Sequence, residues 1–208
     1  VKLTLPKLYA ITDARLSTLS HAEQIERLAD GGAQLIQLRE KHASPREFYR
    51  EAREAVRVAR ARGVRVIIND RADIALALEA DGVHLGQDDL PPEAARRLLG
   101  DHFIIGYSTH DLRQVGEAAR LPVDYVAFGP LFPTRSKENP DAVVGLSLLA
   151  RARATLDAAI PLVAIGGITR ENARSALDAG ADAVAVISAL VSEADEIAPR
   201  TRAFLDEL

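Results

Sequence analysis

The feature that most constrains this chain is a rhythm. Short, mostly apolar runs alternate with longer segments of helical spacing, and the alternation repeats eight times. The runs fall at 7–12, 33–38, 65–68, 82–85, 104–107, 125–128, 162–165 and 183–187. They lack the polar alternation of a sheet with one wet face, so they predict strands covered on both faces and joined by helical crossovers. Eight such units in 208 residues predict an α/β fold, a (β/α)8 TIM barrel forming a single domain over residues 1–208. An open doubly wound sheet is the alternative, but it uses fewer units at this length. No linker or low-complexity stretch interrupts the pattern.

The punctuation agrees. Ser20 with Glu23, and Ser44-Pro45 with Glu47, predict helix starts closed by capping boxes. Pro91-Pro92 and Thr169 predict two further starts, and Gly31-Gly32, Gly63, Gly100 and Gly180 predict stops. Ala72–Ala80 and Leu112–Arg120 read as helices, another begins at Leu146, and a last one follows Ser188.

Composition matters mainly for what it excludes. A net charge of −4 and 4% aromatic residues argue against a nucleic-acid surface. The absence of cysteine excludes disulfides and thiolate metal sites. No apolar run is long enough to span a bilayer and no leader pattern opens the chain, so a cytoplasmic location with no membrane partner is expected.

In a closed barrel all strand C-termini meet at one rim, so polar residues at those ends converge. Strand two ends in Gln37-Leu-Arg-Glu-Lys41. Gln37, Arg39 and Lys41 share one face of an extended backbone, a fork suited to a polyanion such as a diphosphate. Lys41 is read as a charged, phosphate-facing lysine rather than a Schiff base. Asp70 and Asp89 follow the neighbouring strands three and four. Two adjacent carboxylates favour a cation between them, and beside a diphosphate Mg2+ is the natural occupant. Asp88 is the rival ligand, and Asp89 capping the next helix is the alternative. Gly166-Gly167 and Ile187-Ser188 end strands seven and eight, where barrels bind phosphate on backbone N–H groups. The long connection after strand six supplies Thr134, Ser136 and Lys137 as a binding loop. Of the histidines, His21 and His102 are expected at the surface and His42 in a loop; His84 faces either the barrel interior or the helix layer, and His110 touches substrate or supports a residue that does. No Ser-His-Asp arrangement points to a hydrolase.

Several blocks in order carry a resemblance over nearly the whole chain. They are Gln37-Leu-Arg-Glu-Lys41, Ile67-Ile-Asn-Asp-Arg71, Gly82-Val-His-Leu-Gly-Gln-Asp-Asp89, Gly129-Pro-Leu-Phe-Pro-Thr134, Ala164-Ile-Gly-Gly-Ile168 and Val184-Ala-Val-Ile-Ser188. The chain resembles the thiamine phosphate synthase (thiamine-phosphate pyrophosphorylase) family. The resemblance implies a transferase of thiamine biosynthesis on a (β/α)8 barrel. It would join 4-amino-2-methyl-5-(diphosphooxymethyl)pyrimidine to 2-carboxy-4-methylthiazole ethyl phosphate, releasing diphosphate and CO2. It implies that Gln37, Leu38, Arg39, Glu40, Lys41, Asn69, Ser108 and Lys137 hold the pyrimidine diphosphate, with Arg39, Lys41, Ser108 and Lys137 catalytic. Thr134, Arg135, Ser136, Gly167, Ile187 and Ser188 would hold the thiazole phosphate, and Asp70 and Asp89 would bind Mg2+. Ser136 stands where the family usually has Thr, and the hydroxyl survives. The expected partners are thus two small phosphorylated substrates, with a homo-oligomer left open. A thiazole tautomerase of the same fold and a non-catalytic phosphate-binding barrel are the rivals. The first would release no diphosphate and the second would turn nothing over.

Overall fold

The structure is a computed structural model that describes residues 3–134 and 142–208. Its strands are β1 (Leu8–Asp13), β2 (Leu35–Arg39), β3 (Arg65–Asn69), β4 (Gly82–Leu85), β5 (Ile104–Thr109), β6 (Tyr125–Phe128), β7 (Leu162–Ile165) and β8 (Ala183–Val186). They pair in sequence order, all parallel, and β8 returns to β1 to close the barrel. The crossover helices are α1 (His21–Asp30), α2 (Pro45–Ala61), α3 (Ala72–Ala77), α4 (Pro92–Leu99), α5 (Leu112–Ala118), α6 (Gly145–Thr155) and α7 (Arg170–Asp178). After β8 come α8 (Ser188–Val191), a 3-10 turn (Ala194–Glu196) and α9 (Ile197–Glu207). The eightfold alternation is therefore a (β/α)8 barrel. Three expectations need correction: α3 stops at Ala77, α5 stops at Ala118, and the last helix is broken into α8 and α9.

Period-two strand geometry splits the apolar residues into two layers. Tyr9, Ile11, Leu35, Ile67, Tyr125, Val163 and Ala183 fill the barrel interior. Ile36, Leu38, Ile68, Val83, Ile105, Phe128 and Val184 face outward and pack with helix residues such as Ile25, Leu28, Phe48 and Val56. Each such large side chain contributes about 1.5–3 kcal/mol on full burial.

Local chemistry fixes the helix starts. Ser20 N–H donates to Glu23 Oε2 at 2.8 Å while Glu23 N–H donates to Ser20 Oγ at 3.3 Å. Ser44 and Glu47 repeat the arrangement at 2.9 and 3.3 Å, directly after the charged end of β2. At the N-terminal end of the barrel, Asp81, Asp124 and Asp182 each precede an even-numbered strand. Their carboxylates accept the N–H groups of Val66, Ile105 and Leu162 at 2.7–2.8 Å. Each clamps the start of the preceding strand. Among the described residues no helix is long and apolar enough to cross a membrane.

Candidate active site

The C-terminal ends of the strands open into one cavity of about 510 Å3, within the size range of small-molecule sites. Gln37, Arg39 and Lys41 reach it from β2, Asn69 and Asp70 from β3, and Asp88 and Asp89 from the turn after β4. Ser108 and His110 reach it from β5, Thr134 from the loop after β6, and Gly167, Ile187 and Ser188 from the far side. Leu38 and Glu40 are not among the lining residues. Leu38 is 0% exposed in the outer apolar layer, and Glu40 turns back so that its Oε1 accepts the N–H groups of His42 and Ala43 at 2.6 and 3.1 Å. Arg135, Ser136 and Lys137 lie outside the described residues.

Both cations of β2 are held by carboxylates. Arg39 Nη1 donates to Asp13 Oδ2 at 2.6 Å, and Lys41 Nζ donates to Asp70 Oδ2 at 2.5 Å. Asp13 itself accepts the Arg15 N–H at 2.9 Å, so the guanidinium is braced from outside the cavity. Asp70 adopts a left-handed backbone with φ of 63°, a conformation that Asp tolerates better than most residues. Burial first, and the Asp89 carboxyl beside it, raise its carboxyl from 3.8 to about 6 against the opposing pull of Lys41. Asp89 does not cap α4: its Oδ2 accepts the Gly86 N–H at 2.7 Å, and the N-cap before Pro92 is Pro91, with no side-chain cap hydrogen bond. Asp88 also lines the cavity, but it is exposed. Two partly buried acidic oxygens sharing a charge surplus are a donor set that fits a hard divalent cation. Asn69, 6% exposed, has an amide nitrogen with no hydrogen-bond partner among the described residues, a donor left for a ligand.

Below the cavity floor runs a chain of hydrogen bonds that sequence reading missed. Gln37 Nε2 donates to Tyr9 OH at 3.0 Å, and Tyr9 OH meets Tyr125 OH at 2.9 Å. Tyr125 OH meets His84 Nδ1 at 2.9 Å, and His84 Nε2 meets Ser108 Oγ at 2.8 Å. His84 therefore faces the barrel interior. Its ring stacks on Tyr125 with centroids 5.6 Å apart, across Gly106 of the strand between them. A Cβ on Gly106 would sit 2.0 Å from the Tyr125 ring, so only glycine admits this stack. Burial raises the Tyr9 and Tyr125 hydroxyls well above their ordinary range, which keeps both neutral. The signal in the sequence was a polar residue at an inward position of each of several otherwise apolar strands.

The far side of the cavity is built of backbone. Gly166 and Gly167 have φ of 95° and 67°, and a Cβ on either would lie 2.5 Å from the 130–133 segment. His110 Nδ1 donates to the Gly129 carbonyl at 2.7 Å, tying β5 to the start of that segment.

Against this geometry the comparisons with known proteins are decisive. Residues 8–190 match the family model described as thiamine monophosphate synthase. The chain belongs to that family. A thiamine-phosphate synthase from Koribacter versatilis is 49% identical over 97% of this chain and 94% of its own length. One from Chloroflexus aurantiacus is 46% identical, over 94% of this chain and 89% of its own. Among solved structures, thiamine phosphate pyrophosphorylase from Pyrococcus furiosus is 37% identical over 97% of this chain and 94% of that one, with a TM-score of 0.86. These relatives agree with the expectation of a thiamine-phosphate synthase, a transferase on a closed barrel. Among the histidines, His102 is exposed and His42 lies in the loop after β2, both as expected, but His21 is fully buried. It opens α1 under Phe48, a placement that helix-edge position alone did not reveal.

Proposed function

We propose that the protein makes thiamine phosphate from the pyrimidine diphosphate and the thiazole phosphate carboxylate, with release of diphosphate and CO2. The observation that carries this reading is the single cavity. It collects the cations of β2, the acids after β3 and β4, and the glycine-built wall after β7, together with the kinship to thiamine-phosphate synthases.

In this reading Arg39 and Lys41 grip the diphosphate by charge-assisted hydrogen bonds, with Lys137 expected beside them. Asp70 and Asp89 would hold Mg2+, which supplies positive charge to the leaving diphosphate. Asn69 donates its spare amide proton to the same substrate, and Gln37 and Ser108, fixed through the Tyr9–Tyr125–His84 chain, orient the pyrimidine. The C–O bond to diphosphate breaks with its electron pair leaving on the diphosphate. The electron-rich aminopyrimidine stabilises the methylene cation that remains. The thiazole nitrogen supplies the pair for the new C–N bond; the thiazole carboxylate then departs as CO2, leaving its bonding pair on ring C2, which takes a proton from water. Backbone N–H groups near Gly167 and Ser188, with Thr134, Arg135, Ser136 and Ile187, hold the thiazole phosphate so that its ring nitrogen meets the methylene. No protein nucleophile is needed. Electrostatic stabilisation of the departing charge carries the rate.

The test is a coupled assay of diphosphate release with both substrates, with Mg2+ and after chelation. Release that requires both substrates and returns on adding Mg2+ is expected. Isomerisation of a thiazole phosphate without diphosphate release, or ligand binding with no turnover, would replace this reading by one of its rivals.

A further inference from the structure

Behind the β2 cations lies a second cluster that the reaction above does not use. His21 opens α1, Glu40 follows β2 and Glu51 lies in α2. One ligand atom from each lies within 4.8 Å of the others. His21 Nε2 is 3.7 Å from Glu40 Oε2 and 3.9 Å from Glu51 Oε2, too far for hydrogen bonds.

The Thr12 hydroxyl donates to the Gln37 carbonyl at 3.3 Å, so its oxygen is left to accept from His21 Nδ1 at 2.7 Å. In the tautomer that follows from this pairing, the proton sits on Nδ1 and Nε2 presents a lone pair. His21 is 0% exposed, and Nε2 has no hydrogen-bond partner among the described residues. Glu40 cannot turn away, because its Oε1 is committed to the His42 and Ala43 N–H groups. In that tautomer a buried nitrogen lone pair and two carboxylate oxygens converge with no hydrogen bond between them, an arrangement that a cation at the centre would relieve.

We infer that His21, Glu40 and Glu51 form a cation site separate from Asp70 and Asp89, selective for a transition-metal dication of the zinc class. Ligand bonds of about 2.0–2.2 Å put neighbouring ligand atoms on the order of 3–4 Å apart, close to the 3.7 and 3.9 Å separations from Nε2. Glu51, whose side chain is 46% exposed, closes the remaining gap by rotation and leaves a water-accessible path for entry. A nitrogen ligand disfavours Mg2+ and favours zinc-like ions. The Thr12 contact to Nδ1 is the outer support that metal-bound histidines use to fix tautomer and ring angle. An ion here staples α1 and α2 to Glu40, the residue between Arg39 and Lys41, and so stiffens the loop that carries both cavity cations.

The test is calorimetric titration of the full chain with Zn2+ in excess Mg2+, repeated for Glu51→Gln, His21→Asn and Asp70→Asn. One bound equivalent is expected, with affinity reduced about tenfold or more in Glu51→Gln and unchanged in Asp70→Asn. If His21→Asn fails to fold, nitrogen NMR of the unaltered protein replaces it: Zn2+ should shift His21 Nε2 and leave a proton on Nδ1. Absence of zinc binding, zinc binding lost in Asp70→Asn but not in Glu51→Gln, or a doubly protonated His21 at neutral pH in the presence of Zn2+ would overturn the site.

Discussion

The two ends of this barrel use the same side chain in opposite ways. At the N-terminal end, Asp81, Asp124 and Asp182 are each tied to a backbone N–H of the preceding strand, and Asp124 and Asp182 also accept from Arg96 and Arg153 at 2.6 and 3.0 Å. At the C-terminal end, Asp70 is raised to about 6 by burial and Asp89, with a single lysine in opposition. The first set is satisfied by the fold itself. The second is satisfied only in company with something else, and that is where a ligand belongs. A carboxylate is thus informative by what it lacks, more than by its presence.

The comparison breaks most sharply at Asp70. Asp70→Asn should lower kcat by about 100- to 1,000-fold, the scale of losing one electrostatic stabiliser, while the thermal midpoint stays near that of the parent. Steady-state kinetics beside a melting curve checks both, and near-parental turnover would remove Asp70 from the site. Gly167→Ala comes next. Its φ of 67° and the 2.5 Å approach to Pro133 O mean that a methyl group displaces the wall. The KM for the thiazole phosphate should rise about tenfold, a loss near 1.4 kcal/mol, with little change in the KM for the pyrimidine diphosphate. Asp124→Ala sharpens the contrast from the other end. It strands the Ile105 N–H and removes the acid beside Arg96, so chemical denaturation should show a loss of about 1–3 kcal/mol with kcat/KM nearly intact. The smallest effect is expected at the cap of α2. Ser44→Ala removes the hydroxyl that holds the Glu47 carboxyl below its usual range. Because the folded pKa is depressed, that stabilisation is present above about pH 4.5 and lost as pH falls through the lowered value. The variant should therefore show a shallower acid limb in its stability profile.

How legible all this was in the sequence depends on the range of the interactions. The barrel could be read because each strand and helix carries its own apolar period, and Ser20, Ser44 and Thr169 mark helix starts within three residues. The lining could be read because topology alone brings strand ends together: Arg39, Asn69, Asp70, Asp89, Ser108 and Gly167 share a cavity although they span most of the chain. What stayed hidden were cross-strand partners. Tyr9 and Tyr125 look like core aromatics until their hydroxyls meet across 116 residues. Asp13 looks like a turn residue until Arg39 reaches it, and Leu38, inside the charged motif, points away from the cavity because alternate residues must. His21 looked exposed because its own helix says nothing of the strand and the second helix that cover it.

The most direct measurement is a paired one, of diphosphate release with saturating Mg2+ and both substrates, in Asp70→Asn and Asp124→Asn side by side with their melting curves. The account predicts that the first loses turnover and keeps its stability, while the second loses stability and keeps its turnover. Equal loss of turnover in both, or loss only in Asp124→Asn, would contradict the division of the barrel into a supporting end and a reacting end.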